Sequence, residues 1–239
     1  MGSYRCIAKA SPGADCHHVV TSSESGEISC WDTVDGACLE SKKTAMVHTS
    51  MQAYRVPESN TVKLFCCGFY EEVTVLDPYS LDVLFSLSSR INPDWVSAFH
   101  VLRPHNRKDD VVLALTISGT VKVWTLNGQE DNSKAILENE CKQIRCMNAV
   151  SMMCCIYNMR TVLVVCTQFW SVYDAGDFTC LLTVPCRPGE RWLGGEFISA
   201  ERICCWSDGG QGFLYKLPSN CIVGNKDFHN KSAEGTAGR

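Results

Sequence analysis

Apolar residues along this chain fall in short runs broken by Ser, Gly, Asp and Glu, and almost nowhere at the spacing of about 3.6 residues that marks a helix. The run at 17–23 (HHVVTSS), the turn at 24–27 (ESGE), the run at 28–33 (ISCWDT), the turn at 34–36 (VDG) and the run at 37–41 (ACLES) form one unit. Short runs rich in β-branched and small residues, bounded by turn formers, predict strands of an antiparallel meander.

The unit recurs in pattern, with little identity. A second copy takes in 62–68 (VKLFCCG), 73–78 (VTVLDP) and 82–87 (DVLFSL), and a third takes in 111–116 (VVLALT) and 121–126 (VKVWTL). The fourth covers 162–168, 169–175 and 178–184, and the fifth 202–208 and 213–219. Trp31-Asp32 of the first copy is answered by Leu76-Asp77, Trp124-Thr125, Tyr173-Asp174 and Tyr215-Lys216, at intervals of 45, 48, 49 and 42 residues. Such a period is that of four-stranded propeller blades. A further apolar segment suited to an innermost strand precedes each copy, at 4–10, 50–56, 96–102, 148–154 and 194–200.

The chain is therefore expected to be all-β, a WD-repeat β-propeller of about five four-stranded blades over residues 1–224. Its structural blade anchors are expected at Trp31, Asp32, Asp77, Trp124, Asp174 and Tyr215. No obvious strand seals the ring, which is expected to be incomplete, a fragment of a longer propeller. The polar stretch 131–144 (DNSKAILENECKQI) is the one with a helical reading and is assigned to a connection between the third and fourth copies. Residues 225–239, polar and without periodicity, read as a disordered tail.

Charge narrows the partners. Of 239 residues, 26 are acidic and 22 basic, and no Lys/Arg cluster stands out, so the footprint of a nucleic-acid or anionic-membrane binder is missing. Protein partners are expected, with no nucleic acid and no direct membrane insertion. The 16 cysteines would suit a disulfide scaffold, but such scaffolds are small, secreted and poor in core. No secretory leader precedes the first strand and no apolar run reaches the ~18 residues of a membrane span, so the thiols are read as reduced and the chain as cytoplasmic.

The wording of several segments is specific. PDWVSAF (93–99), VYDAGDF (172–178) and YKLPSNC (215–221), with SESGEISCWDTVDGACLE near the start, resemble the N-terminal propeller of the rabconnectin-3 beta family of WD-repeat proteins, over roughly 4–221. The resemblance implies a cytosolic subunit that regulates assembly of the vacuolar proton-pumping ATPase and acidification of vesicles and endosomes, synaptic vesicles included. The partners it implies are a rabconnectin alpha-type subunit and the peripheral sector of the pump. It implies no catalytic residues. The alternative from another class is a generic propeller adaptor, such as a substrate-recruiting arm of a ubiquitin ligase.

Adjacent residues of a strand point to opposite faces, so Cys66-Cys67, Cys154-Cys155 and Cys204-Cys205 are poor chelators and are expected in the core. No C-x-x-C occurs, and Cys16-His17-His18 has no second cluster at ligand spacing, so no metal is expected. His48 is expected to make a structural hydrogen bond within its blade, in a network left incomplete by Leu76. The turn Asp208 to Gly212 lacks the Gly-Lys-Ser/Thr of a phosphate loop and leads into a strand. Trp95 is expected buried between blades, and the mixed-charge loop Arg103 to Asp110 is expected to be a solvated connection. No enzyme and no cofactor are expected.

Overall fold

In the computed structural model of the chain, residues 4–9, 17–57, 59, 61–89, 93–104, 108–126, 135–137, 144–146, 148–176 and 178–223 are described. The tail 225–239 and Cys16 lie outside them.

The short apolar runs pair as antiparallel meanders. The first sheet is β1 (Tyr4–Lys9), β2 (His18–Ser23), β3 (Glu27–Asp32) and β4 (Cys38–Lys43), in that order. The second follows the same order with β5 (His48–Arg55), β6 (Val62–Gly68), β7 (Val73–Leu76) and β8 (Val83–Ser88). In the third, β9 (Val96–Leu102), β10 (Asp110–Thr116) and β11 (Thr120–Leu126) are adjacent; the chain then leaves to form β12 (Ala135–Leu137) and returns as the outer strand β13 (Ile144–Arg145). The fourth is β14 (Ala149–Cys154), β15 (Thr161–Cys166), β16 (Phe169–Asp174) and β17 (Cys180–Pro185). The fifth has three strands among the described residues, β18 (Trp192–Ser199), β19 (Arg202–Ser207) and β20 (Gly212–Lys216), followed by a short helix α1 (Ser219–Val223) against β16 and β17.

One expectation is corrected. Within 131–144 the described residues are strands, not helix: β12 runs parallel to β8, pairing Ala135 with Ser86 and Leu137 with Ser88. The outer edge of β8 offers unpaired backbone groups, and a short strand satisfies them without the periodic apolar face that a docked helix would need.

The third strands share one register. Trp31 lies opposite Val19, Leu76 opposite Leu64, Trp124 opposite Val112, Tyr173 opposite Val162 and Tyr215 opposite Ile203. In the last four blades this cross-strand pair faces the blade before it. Leu64 and Leu76 pack on Val20, Ile28 and Cys30, and Val112 and Trp124 pack on Phe65, Val75 and Phe85. Val162 and Tyr173 pack on Val111, Leu113 and Val121, and Ile203 and Tyr215 pack on Leu163, Trp170 and Val172. The five blades therefore bury four apolar layers between them, and the innermost strands β1, β5, β9, β14 and β18 follow one another as neighbours. Alternation along each strand puts one set of side chains into the layer ahead and the other into the layer behind, as stacked sheets require.

The stack is open at the fifth blade. Its outward face carries Cys204, Trp206 (41% exposed) and Leu214 (58% exposed), and no described sheet covers it. The Trp206 indole lies against Gly194, where a β-carbon would collide with the ring.

Candidate functional site

The anchor positions lie toward the ends of the third strands, beside the turns that follow them. Trp31 is half-buried at the open side of the first blade, and its Nε1 donates to Thr21 Oγ1 at 2.8 Å within the same sheet. Trp124 is buried, and its Nε1 donates to the Ser88 carbonyl of the preceding blade at 3.4 Å. The Tyr173 hydroxyl reaches Cys146 Sγ at 3.9 Å, and burial raises its pKa. Tyr215 stacks edge-on against Trp170 at a ring distance of 5.0 Å, linking the fourth and fifth blades.

The three aspartates that follow an anchor share a different geometry. Oδ1 of Asp32 accepts from Val34 N at 2.7 Å, Oδ1 of Asp77 from Tyr79 N and Ser80 N at 2.8 Å, and Oδ1 of Asp174 from Gly176 N at 2.7 Å. Each Asp carbonyl accepts from the residue four further on: Gly36 at 3.0 Å, Leu81 at 2.9 Å and Phe178 at 2.8 Å. Those three residues have φ of 74°, 57° and 56°. All three hairpins are thus the same loop, closed by an aspartate side chain. Only the first supplies glycine at the left-handed position; in the others, the buried side chains of Leu81 and Phe178 offset the backbone strain.

Polar groups also join blades. Gln52 of β5 brackets Val101 of β9, donating Nε2 to its carbonyl at 3.3 Å and accepting its N–H at 3.2 Å. His100 Nε2 is 2.9 Å from the Met152 carbonyl, and burial lowers its pKa against the opposing pull of that carbonyl. His48, buried at the start of β5, places Nδ1 2.6 Å from the Tyr70 hydroxyl, and burial holds its pKa at about 4. Its partner is a tyrosine of the next turn, a residue the sequence reading did not single out. The loop 103–110 is pinned at its ends and is not simply a solvated connection: Asp110, buried, accepts from Arg103 Nε at 2.8 Å and from the Tyr54 hydroxyl at 2.7 Å.

The paired cysteines divide between layers as strand alternation requires. Cys66 packs between the first and second blades and Cys67 between the second and third. Cys154 and Cys155 separate in the same way, whereas Cys204 is half-buried on the open face and Cys205 is in the core. His18 stacks edge-on against Tyr79 at 5.3 Å. Asp208 closes the β19–β20 turn region by accepting Arg191 N at 2.8 Å. Trp170 and Trp192 are buried in the layer between the fourth and fifth blades. Trp95 is not buried between blades: it is 45% exposed, because the inward alternation of β9 begins one residue later, at Val96.

Five stacked meanders with a common third-strand register and a repeated aspartate loop define a WD-repeat β-propeller, and the chain's curated homologues are WD-repeat proteins. It is similar to WD repeat-containing protein 72 of Homo sapiens, at 32% identity over 188 residues, which is 77% of this chain and 17% of that protein. The same protein of Pongo abelii is 33% identical over 187 residues, and that of Mus musculus 32% over 187, each covering 76% of this chain and 17% of the relative. The chain thus spans about a sixth of the length of these curated relatives. No protein-family model matches the chain. The relationship supports a WD-repeat scaffold. No helix among the described residues is long and apolar enough to cross a membrane.

Proposed function

We propose that the chain is a propeller segment of a rabconnectin-3 beta-type scaffold that regulates assembly of the vacuolar proton-pumping ATPase, and through it vesicle and endosome acidification. Its partners on this reading are a rabconnectin alpha-type subunit and the peripheral sector of the pump, met in the cytoplasm at vesicle surfaces. The observation that carries the reading is the wording of three segments, PDWVSAF at the approach to β9, VYDAGDF across the β16–β17 loop, and YKLPSNC from β20 into α1. All three are junctions, where a scaffold varies its loops while the strands keep the fold. Trp31, Asp32, Asp77, Trp124, Asp174 and Tyr215 serve on this reading as blade anchors: Trp124 and Tyr215 pack or bond across sheets, Trp31 bonds within its own sheet, and the aspartates close hairpins.

Coprecipitation from cells with a tagged full-length version tests it. Pump peripheral-sector subunits and the alpha-type partner are expected in the precipitate. Their absence overturns the reading, and recovery of a cullin adaptor in their place favours the ubiquitin-ligase arm.

A further inference from the structure

Three turns meet on one rim of the second and third blades. Phe69 opens the β6–β7 turn, Trp95 stands immediately before β9, and Ile117 opens the β10–β11 turn. Their exposures are 52%, 45% and 65%. The rings of Phe69 and Trp95 lie 6.0 Å apart with a tilt of 54°, and Ile117 N–H donates to the Trp95 carbonyl at 2.9 Å. An aromatic pair and an aliphatic side chain, contributed by two blades, therefore sit side by side in solvent.

The cluster is held rigidly. Asp94 bridges the two segments of the third blade, accepting Trp95 N at 2.8 Å on Oδ1 and Ser118 N at 3.0 Å on Oδ2. Thr116 Oγ1 bonds to the Thr120 carbonyl at 3.1 Å and receives Thr120 N at 3.2 Å, which fixes the turn that carries Ile117. On the second blade, Phe69 N donates to the Val47 carbonyl at 3.3 Å. That approach is so close at Gly68 that a β-carbon there would run into the Val47 carbonyl. A surface fixed in this way loses little conformational entropy when something binds to it.

The rim also has a sign. Among the described residues of the three turns, at 69–72, 93–95 and 117–119, the charged side chains are Glu71, Glu72 and Asp94, all acidic, with no Lys or Arg. Exposed indole and phenyl faces attract Arg and Lys, the carboxylates pair with the same cations, and Ile117 offers an apolar neighbour. Aromatic anchors with a polar rim are where binding energy concentrates.

We propose that Phe69, Trp95 and Ile117, rimmed by Glu71 and Glu72, form a docking surface for a peptide segment of a protein partner that carries Arg or Lys beside a large aliphatic side chain. The surface requires that the chain be a protein-binding scaffold and is independent of which assembly the scaffold serves.

The test is to pan a phage-displayed library of random 12-residue peptides against the full chain and measure the enriched peptides by fluorescence anisotropy. Enriched sequences are expected to place Arg or Lys next to Leu, Ile or Met. Their affinity is expected to fall at least tenfold in Trp95→Ala, and several-fold in the charge-reversal variant Glu71→Lys/Glu72→Lys. Each variant is checked for a wild-type denaturation midpoint; should Trp95→Ala unfold, Ile117→Asp and the Glu71→Lys/Glu72→Lys variant carry the comparison. Peptides that lack a cation, peptides that bind the folded variants as tightly as wild type, or a library that yields no binder overturn the proposal. Because no pump subunit enters the assay, its outcome is separate from that of the coprecipitation.

Discussion

The indole of Trp124 on β11 donates its N–H to the carbonyl of Ser88 on β8 at 3.4 Å, so a side chain of the third blade is bound to the outer strand of the second. Trp31 occupies the same register position in the first blade, but its bond to Thr21 stays within its own sheet, on the open side of the stack. The two tryptophans are equivalent in sequence and unequal in burial.

Trp124→Ala is therefore expected to destabilise the chain by about 3–5 kcal/mol, the range for emptying a large aromatic site in a packed core. Trp31→Ala should cost roughly 1–2 kcal/mol, for one hydrogen bond and part of an indole's burial. Urea titrations followed by circular dichroism check the ranking. Equal losses for the two variants would contradict the inter-blade role of Trp124.

The aspartate loops differ in how many donors each carboxylate receives. Asp77 takes two N–H groups and Asp32 one. Replacement by Ala should cost about 1 kcal/mol at Asp32 and more at Asp77, while Asn, which keeps an acceptor oxygen, restores most of the loss at both. Melting temperatures of the four single variants decide this; an Asn variant no better than Ala would remove the side-chain bond as the cause.

Acid should loosen the fold through His48. Burial holds its pKa at about 4 in the folded chain against 6.5 ordinarily, so the unfolded chain binds more protons in between. The contribution is fully present above about pH 6.5 and is lost as pH falls toward 4; for a shift of this size it is on the order of 3 kcal/mol. His100, also lowered, adds loss of the same sign. His48→Gln should therefore flatten the dependence of the urea midpoint between pH 6.5 and 4.5 without abolishing it. A slope identical to that of wild type would show that His48 is not protonated on unfolding in this window.

The thiols should sort by layer. Cys38 and Cys180 are exposed, whereas Cys66, Cys67, Cys154, Cys155 and Cys205 are buried, and burial pushes the Cys205 thiol up to about 12. Since the thiolate is the reacting form, brief iodoacetamide treatment of the native chain should label the first two and spare the other five until denaturant is added. Peptide mass spectrometry reads both sets. Early labelling of Cys66 or Cys67 would mean that the layers between blades open readily.

The strand pattern was legible in the sequence because alternation and turn formers act locally. The predicted innermost strand at 96–102 coincides with β9, and the predicted run at 62–68 coincides with β6. The opposite-face argument for the cysteine pairs needed only the two-residue repeat of a strand, and it held for Cys66-Cys67 and Cys154-Cys155. At 131–144, where a local pattern suggested helix, the described residues pair instead with strands distant in sequence, which local reading cannot reach.

By itself, then, the sequence determined the number of sheets, the order of the first three strands in each and the register of Trp31, Leu76, Trp124, Tyr173 and Tyr215, because each depends on spacing within about fifty residues. Only the tertiary structure decided which face each pair buries, that Tyr70 meets His48, and that Trp95 stands in solvent beside Phe69. Those are contacts between blades or between turns, and their geometry follows from how the sheets stack, which no single strand encodes.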